Sequence, residues 1–180
     1  VAVWLDSGTD QSESQDKALP LDDGAFLLDW RILDGSPAND TAAGATPVGP
    51  AAGAPLESPR FATDTWSASG CPGLADGAGE GTPDLFYAVT PSETRAFVLG
   101  AHLLNAAVAS VDSGTHALAL LDDTGACLEA RQSGVDLLLK ATLEAGRTYT
   151  LVVDTGDRAE SVLFEVSVEP YVGPANDECA

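Results

Sequence analysis

The feature that most constrains this chain is a series of short, β-rich runs separated by glycine turn signals. Several runs alternate apolar and polar residues, and this period of two is typical of a strand with one buried face. Breaks such as Ser113-Gly114 and Thr124-Gly125 favour tight hairpin turns. The predicted strands are Leu85–Thr90, Arg95–Ala101, Ala106–Asp112, His116–Leu121, Ala126–Arg131, Leu137–Leu143, Thr148–Asp154 and Val162–Glu169. With no convincing helix between them, they predict an all-β fold, an antiparallel, jelly-roll-like β-sandwich.

Two landmarks recur along the chain in the same order. Pro37–Asp40 returns as Pro174–Asp177, and the stretch Trp4–Gly8 matches Val152–Gly156. We therefore interpret the sequence as part of a tandem array that is out of phase with its own repeat. The predicted parts are 1–34, the terminal hairpin of a preceding unit; 35–170, a complete sandwich unit; and 171–180, the start of a following unit. Neighbouring repeat units are then expected partners.

The charge of the chain is strongly acidic. Asp and Glu number 28 against 8 Lys and Arg, which gives a formal net charge of −20. Such a field repels phosphate backbones and anionic lipid, so we expect no nucleic-acid partner. No apolar run approaches the roughly 18 residues of a membrane span, so we expect no membrane insertion either. An exported acidic protein fits this composition.

Three cysteines leave an odd count: Cys71, Cys127 and Cys179. In the repeat alignment Cys179 belongs to the start of the following unit and would pair downstream. Cys71 and Cys127 are then left to join each other, and the alternative is a pair of reduced, buried thiols. A disulfide would indicate an oxidising, exported location.

Three Asp-Ser/Thr-Gly triplets raise the hypothesis of an aspartic protease. That mechanism needs two carboxylates about 3 Å apart around one water, and the candidates are Asp6, Asp123 and Asp154. The same triplet is also a good β-turn at the end of a strand, because Asp and Thr bond nearby backbone groups and Gly accepts positive φ. We favour the turn, with Asp154 capping a hairpin, and predict that the chain is not an enzyme. His102 and His116 have no metal-ligand spacing.

Acidic loops are better candidates for calcium, which takes six to eight oxygen ligands from carboxylates, amides and carbonyls. Asn39-Asp40 at the unit start and Asp84 at the entry to the first long strand form one predicted group, with Asp76 and Glu80 nearby in sequence. Asp122-Asp123 is a second group. The alternative for both is solvated acids with an Asx turn at Asn39-Asp40.

Two aromatic residues, Trp66 and Tyr87, are the candidates for contact with a ligand within the complete unit. Large amphipathic rings supply much of the contact area at binding surfaces. The alternative is that each ring packs in the core.

The residues together resemble a known family. A start marked by Asn39-Asp40 is followed by Pro83–Thr90, then by His116–Asp122, by Leu143–Val153 with its Leu-x-Ala-Gly-x-x-Tyr pattern, and by Phe164–Val168. This order is similar to the bacterial pre-peptidase C-terminal domain, a jelly-roll β-sandwich of secreted and cell-surface proteins. The likeness is greatest to its tandem, cysteine-bearing relatives that begin Asn-Asp-x-Cys-Ala.

The resemblance implies a non-catalytic, exported module, secreted or at the cell surface, that helps a parent protein to bind, anchor or mature. It implies calcium at the positions of Asn39, Asp40 and Asp84. Extracellular protein or polysaccharide would be the partner. The alternative within binding modules is a carbohydrate-binding module of a secreted hydrolase, which would need a strip of exposed aromatics.

Overall fold

A computed structural model describes residues 35–50, 56–59, 61–75, 80–103, 116–133, 136–154 and 163–173. All of these residues belong to one compact unit, Leu33–Ala180. The predicted terminal hairpin at 1–34 and the predicted strand Ala106–Asp112 lie outside the described residues. Most of the predicted start of a following unit, at 174–180, lies outside them too.

The strands follow the predicted runs closely. One 3₁₀ turn, Ala42–Gly44, precedes them. The strands are β1 Thr46–Val48, β2 Leu56–Glu57, β3 Asp84–Val89, β4 Arg95–Leu103, β5 His116–Leu121, β6 Cys127–Ser133, β7 Asp136–Leu143, β8 Tyr149–Asp154 and β9 Phe164–Pro170. β1 and β2 lie in the Ala-, Gly- and Pro-rich stretch 41–60, where no strand was predicted. They are short edge strands, where backbone pairing rather than a hydrophobic pattern makes the strand, so periodicity gives no signal for them.

The strands form two packed sheets. One has five strands in the order β1-β3-β8-β5-β6, and the other has four in the order β2-β9-β4-β7. β1 pairs with β3 in parallel, and every other described pairing is antiparallel. The predicted all-β sandwich is therefore confirmed, whereas its jelly-roll character stays a prediction.

The main core lies between the two sheets and follows the predicted alternation. In β9, Phe164, Val166 and Val168 are buried while Glu165 and Glu169 are exposed. Burial of each such apolar side chain stabilises the fold by about 1.5–3 kcal/mol relative to exposure. Burial of the main core therefore stabilises the packing of the two sheets.

The five-stranded sheet is buried on both faces. Its outer face carries a second apolar cluster that includes Phe86, Ala119, Leu121, Ala130 and Val152, whereas the strand neighbours of Phe86, Ala119 and Val152 belong to the main core. Residues 61–75, which we call the strap, cover this outer face. The strap contributes Trp66, Cys71 and Leu74 to the cluster. This second cover explains why all six residues of β5 are buried.

The predicted disulfide is confirmed: Cys71 of the strap is bonded to Cys127 of β6, with the Cα atoms 5.3 Å apart. Beside the bridge the Ala130 N–H donates to the Pro72 carbonyl at 3.0 Å. Gly73 has a φ of +91°, and a Cβ there would lie 2.3 Å from the Ala130 carbonyl oxygen, so only glycine fits this contact. The bridge and these contacts fix one end of the strap to the sheet.

Among the described residues, no helix has the length and apolar character needed to cross a membrane.

Candidate functional site: a buried acid cluster

Two carboxyl groups meet where β3 begins and β8 ends. Asp84 and Asp154 are direct partners in the antiparallel register, next to the apolar pair Phe86 and Val152. Directly opposite side chains project from the same face of a sheet, with Cβ atoms roughly 4.5–5.5 Å apart. Because Phe86 and Val152 belong to the second cluster, both acids lie on the face that the strap covers. Both side chains are fully buried.

Each acid has specific hydrogen-bond donors. Asp84 Oδ2 accepts from the backbone N–H groups of Thr65 at 2.8 Å and Trp66 at 2.7 Å, both in the strap. Asp154 Oδ1 accepts from the Thr82 hydroxyl at 2.8 Å. Asp84 Oδ1 is buried without a hydrogen-bond partner. Burying a charged oxygen without a partner is costly, so this atom is the most informative one in the site.

Asn39 and Asp40 connect the unit start to the same region. The Asn39 carbonyl accepts from Phe86 N–H at 2.9 Å, and its buried side-chain Nδ2 has no hydrogen-bond partner. Asp40 Oδ1 accepts from both the backbone N–H and the hydroxyl of Thr63 in the strap. We call Asn39, Asp40, Asp84 and Asp154 the acid cluster; its members are joined through the strap and β3.

Burial dominates the electrostatics of Asp84. Desolvation raises the pKa of Asp84 to about 7, although the N–H groups of Thr65 and Trp66 lower it in part. The negative charges of Asp154 and Asp64 raise the pKa of Asp84 further. Near neutral pH, Asp84 is therefore divided between its charged and protonated forms. An added cation would favour the charged form.

The predicted calcium ligands Asn39, Asp40 and Asp84 thus lie around one strap, and the buried Asp84 Oδ1 suits a hard cation. Within the described ranges, no group of three or more His, Cys, Asp or Glu side chains is arranged to hold a metal ion. Of the two neighbouring acids in sequence, Glu80 is exposed and Asp76 lies outside the described residues. Calcium at this site stays a prediction.

Asp154 is the member that the sequence did not indicate for this cluster. It was expected to cap a hairpin, and the turn of that hairpin lies outside the described residues. Its Oδ1 accepts from the Thr82 hydroxyl, which is far away in sequence. The signal that finds it is the strand register, because Asp84 pairs with Asp154 only when the whole of β3 is aligned with β8.

The second acidic group, Asp122-Asp123, forms a different structure. Asp122 Oδ1 accepts from the Thr124 hydroxyl, Thr124 N–H and Ala126 N–H, which is an Asx-type turn. Arg147 contacts Asp123 at 2.6 Å and Asp122 at 3.7 Å. The Thr124 hydroxyl is the main cause that lowers the pKa of Asp122, helped by the two N–H groups and by Arg147. Protein donors already satisfy this charge.

The described protease candidates, Asp123 and Asp154, lie at opposite ends of β5. In the register of β5 and β8, Asp154 pairs with Ala117 and Thr150 pairs with Leu121. Asp123 lies two residues after Leu121 in the chain. Four residues of antiparallel strand span roughly 13–14 Å. The carboxylate beside Asp154 is Asp84 instead, and Asp6 lies outside the described residues.

The two histidines lie in different sheets. His102 is exposed in β4, and His116 begins β5 and packs edge-on against Phe164 with ring centroids 5.6 Å apart. Both act as strand residues in the described structure.

The two candidate ligand-binding aromatics differ in exposure. Tyr87 is fully buried in the main core, so a ligand could reach its ring only if β3 moved. Trp66 is half-buried in the strap, where it packs on the second cluster. Of the two rings, only Trp66 presents surface to solvent.

A scan against protein-family models matched none, and a search of curated proteins returned no match either.

Proposed function

We propose that this chain is a non-catalytic binding or structural module of an exported multidomain repeat protein, stabilised by calcium at the acid cluster. The observation that carries this proposal is the fully buried Asp84–Asp154 pair with an unpartnered Asp84 oxygen. Two like charges side by side in a low dielectric repel strongly unless a proton or a cation compensates them. Calcium is the cation that carboxylate and amide oxygens prefer.

The residues present would supply part of a calcium shell. Asp84 would contribute its unpartnered oxygen, Asp154 the second negative charge, and Asn39 and Asp40 oxygens from the unit start. Calcium would neutralise the pair, and the strap N–H groups would hold Asp84 in place.

The extracellular part of the proposal rests on three properties. The Cys71–Cys127 disulfide indicates an oxidising setting. The net charge of −20 suits an exported, soluble module. The resemblance to pre-peptidase C-terminal domains favours a secreted or cell-surface accessory role, with neighbouring repeat units and an extracellular protein or polysaccharide as partners.

The placement of the acids favours a non-catalytic role over an aspartic-type hydrolase. Asp84 and Asp154 are fully buried, so a polypeptide substrate has no access to them in this conformation. Asp123 is engaged by Arg147 at the other end of the sheet.

Differential scanning calorimetry tests the proposal. We expect excess calcium to raise the unfolding temperature relative to chelator, because a ligand at about 100 times its dissociation constant stabilises the folded state by about 2.7 kcal/mol. Asp84→Asn should lose this shift, whereas Asp123→Asn, a matched change of an exposed acid, should retain it. An equal midpoint in calcium and chelator for the unmodified chain would contradict calcium binding.

A further inference from the structure

The strap is attached at two ends that differ in chemistry. At one end, Thr65 and Trp66 donate backbone N–H groups to Asp84 Oδ2, and Asp84 N–H donates back to the Thr63 carbonyl at 3.1 Å. At the other end, Cys71 is bonded covalently to Cys127. The Trp66 ring packs on the second cluster, and Ala68, between the two ends, is buried.

The strap can leave without opening the sandwich. In the described ranges, eighteen buried residues form the main core between the sheets, and none of them belongs to the strap. The strap mainly covers the second cluster, on the outer face of the five-stranded sheet, and its partly buried Ala62 packs against the main core. Several strap residues, including Thr63, Asp64, Thr65, Ser67 and Ser69, are already exposed. Segments with few buried contacts open at lower free energy than the core.

The strap begins at Phe61 with a strained backbone conformation, and this position could act as a hinge. Phe61 has a φ of +70° and is 51% exposed. A bulky residue in the left-handed region is strained and persists only where the surroundings impose it. Release of the strap would let Phe61 return to an ordinary conformation, which favours the open form.

We propose that residues 61–75 are a redox-operated lid, closed by the Cys71–Cys127 disulfide and opened by a dithiol reductant. With the bridge gone, the far end of the strap keeps a single described backbone hydrogen bond to the sheet, from Ala130 to Pro72. Opening would expose the apolar face around Phe86 and Val152 and withdraw the two N–H donors from Asp84. This device goes beyond the proposed function and holds whether or not the acid cluster binds calcium.

The covalent step is ordinary thiol–disulfide exchange. A thiolate of the dithiol attacks Sγ of Cys127, which is only partly buried whereas Cys71 is 6% exposed. The S–S bond breaks, Cys71 leaves as a thiolate and takes up a proton, and a mixed disulfide forms on Cys127. The second thiol of the reductant then attacks the reductant sulfur of the mixed disulfide. Cys127 leaves as a thiolate and takes up a proton. Two electrons and two protons enter the protein, and the reductant departs as a cyclic disulfide.

Hydrogen–deuterium exchange of the full chain, read by mass spectrometry, tests the lid. All samples carry Cys179→Ser, so that only the bridge responds to dithiothreitol. On reduction we expect peptides from the strap to exchange at least about tenfold faster. Peptides from β4 and β7, which lie in the other sheet, should keep their protection. The double variant Cys71→Ser with Cys127→Ser should match the reduced chain without any reductant.

Two outcomes would overturn the proposal. If the strap keeps its protection after verified reduction, Asp84 and the apolar contacts hold it closed without the bridge. If β4 and β7 lose protection together with the strap, the disulfide holds the whole sandwich and is no lid. Exchange of the strap and exchange of β4 and β7 are both measured in chelator. A failure of the calcium proposal therefore leaves both measurements unchanged.

Discussion

The five-stranded sheet has an acid pair at each end, and the two pairs respond to their surroundings in opposite ways. Asp84 and Asp154 are fully buried, and burial raises the pKa of Asp84 to about 7. Asp122 lies in a turn beside the exposed Asp123, and the Thr124 hydroxyl, backbone N–H groups and Arg147 lower its pKa. An aspartate at a strand end can therefore have one of two roles. When buried, as Asp84 is, it takes up a proton or a cation; in a turn, as Asp122 is, it stays an anion.

The difference shows what selects a candidate site. At the turn, three donors and an arginine compensate the charge of Asp122, so no external ligand is required. At the buried pair, two strap N–H groups compensate one oxygen of Asp84 and leave the other without a partner. Incomplete compensation in a buried place is the property that points to function.

The largest expected effect is that of Asp84→Ala. The strap amides of Thr65 and Trp66 lose their acceptor, and we expect a loss of about 1–3 kcal/mol in the free energy of unfolding. Urea denaturation at pH 5 is the measurement, because the Asp84 carboxyl is mostly protonated at that pH. Its removal then relieves little repulsion with Asp154, and the loss of the strap hydrogen bonds is not offset. Asp123→Ala is the matched control and should move the urea midpoint less. Equal shifts in the two variants would remove the distinction between the pairs.

The next effect is a dependence of stability on pH. The folded pKa of Asp84, about 7, lies above its ordinary value of 3.8. The folded chain therefore holds a proton that the unfolded chain releases, so this contribution to stability is full below about pH 4 and is lost as pH rises through about 7. Asp122 has the opposite sign: its contribution is full above 3.8 and is lost as pH falls through its lowered pKa.

Asp84→Asn isolates the buried group in the same experiment. We expect the fall in urea midpoint between about pH 4 and about 7 to be smaller in this variant than in the unmodified chain. Asp122→Asn should leave that interval unchanged and alter the curve only at lower pH. If the profile of Asp84→Asn overlaid that of the unmodified chain, the raised pKa would be assigned to the wrong residue.

The smallest effect concerns the donors of the turn. Because the Thr124 hydroxyl is the main cause of the lowered Asp122 pKa, Thr124→Ala should raise that pKa more than Arg147→Gln does. An NMR titration of the Asp122 side-chain carbon measures both variants. The reverse order would mean that the arginine, rather than the turn hydrogen bonds, fixes this charge.

The sequence predicted the sheets well because alternation and glycine turns are local signals. Runs such as His116–Leu121 match a strand in full, and the Cys71–Cys127 disulfide was predicted by assigning Cys179 to a following repeat unit. It could not predict that the outer face of β5 would be buried, since that depends on where the strap lies.

The acid cluster was predicted in part. Asn39, Asp40 and Asp84 were proposed from their types and order; the structure connects Asp40 and Asp84 through the strap, and Asn39 to β3 through Phe86. Asp154 was not assigned to this cluster, because its place beside Asp84 is set by the pairing of two strands far apart in sequence. Tyr87 shows the same limit: an aromatic residue in a strand does not reveal from its sequence which face it occupies.

The most direct test of the acid cluster is a carbon-13 NMR titration of the Asp84 and Asp122 side-chain carbons in one sample. In chelator we expect a midpoint near 7 for Asp84 and one below 3.8 for Asp122. In calcium we expect the Asp84 midpoint to fall while that of Asp122 stays. An Asp84 midpoint close to its ordinary value in chelator, with no response to calcium, would contradict both the raised pKa and calcium binding at Asp84.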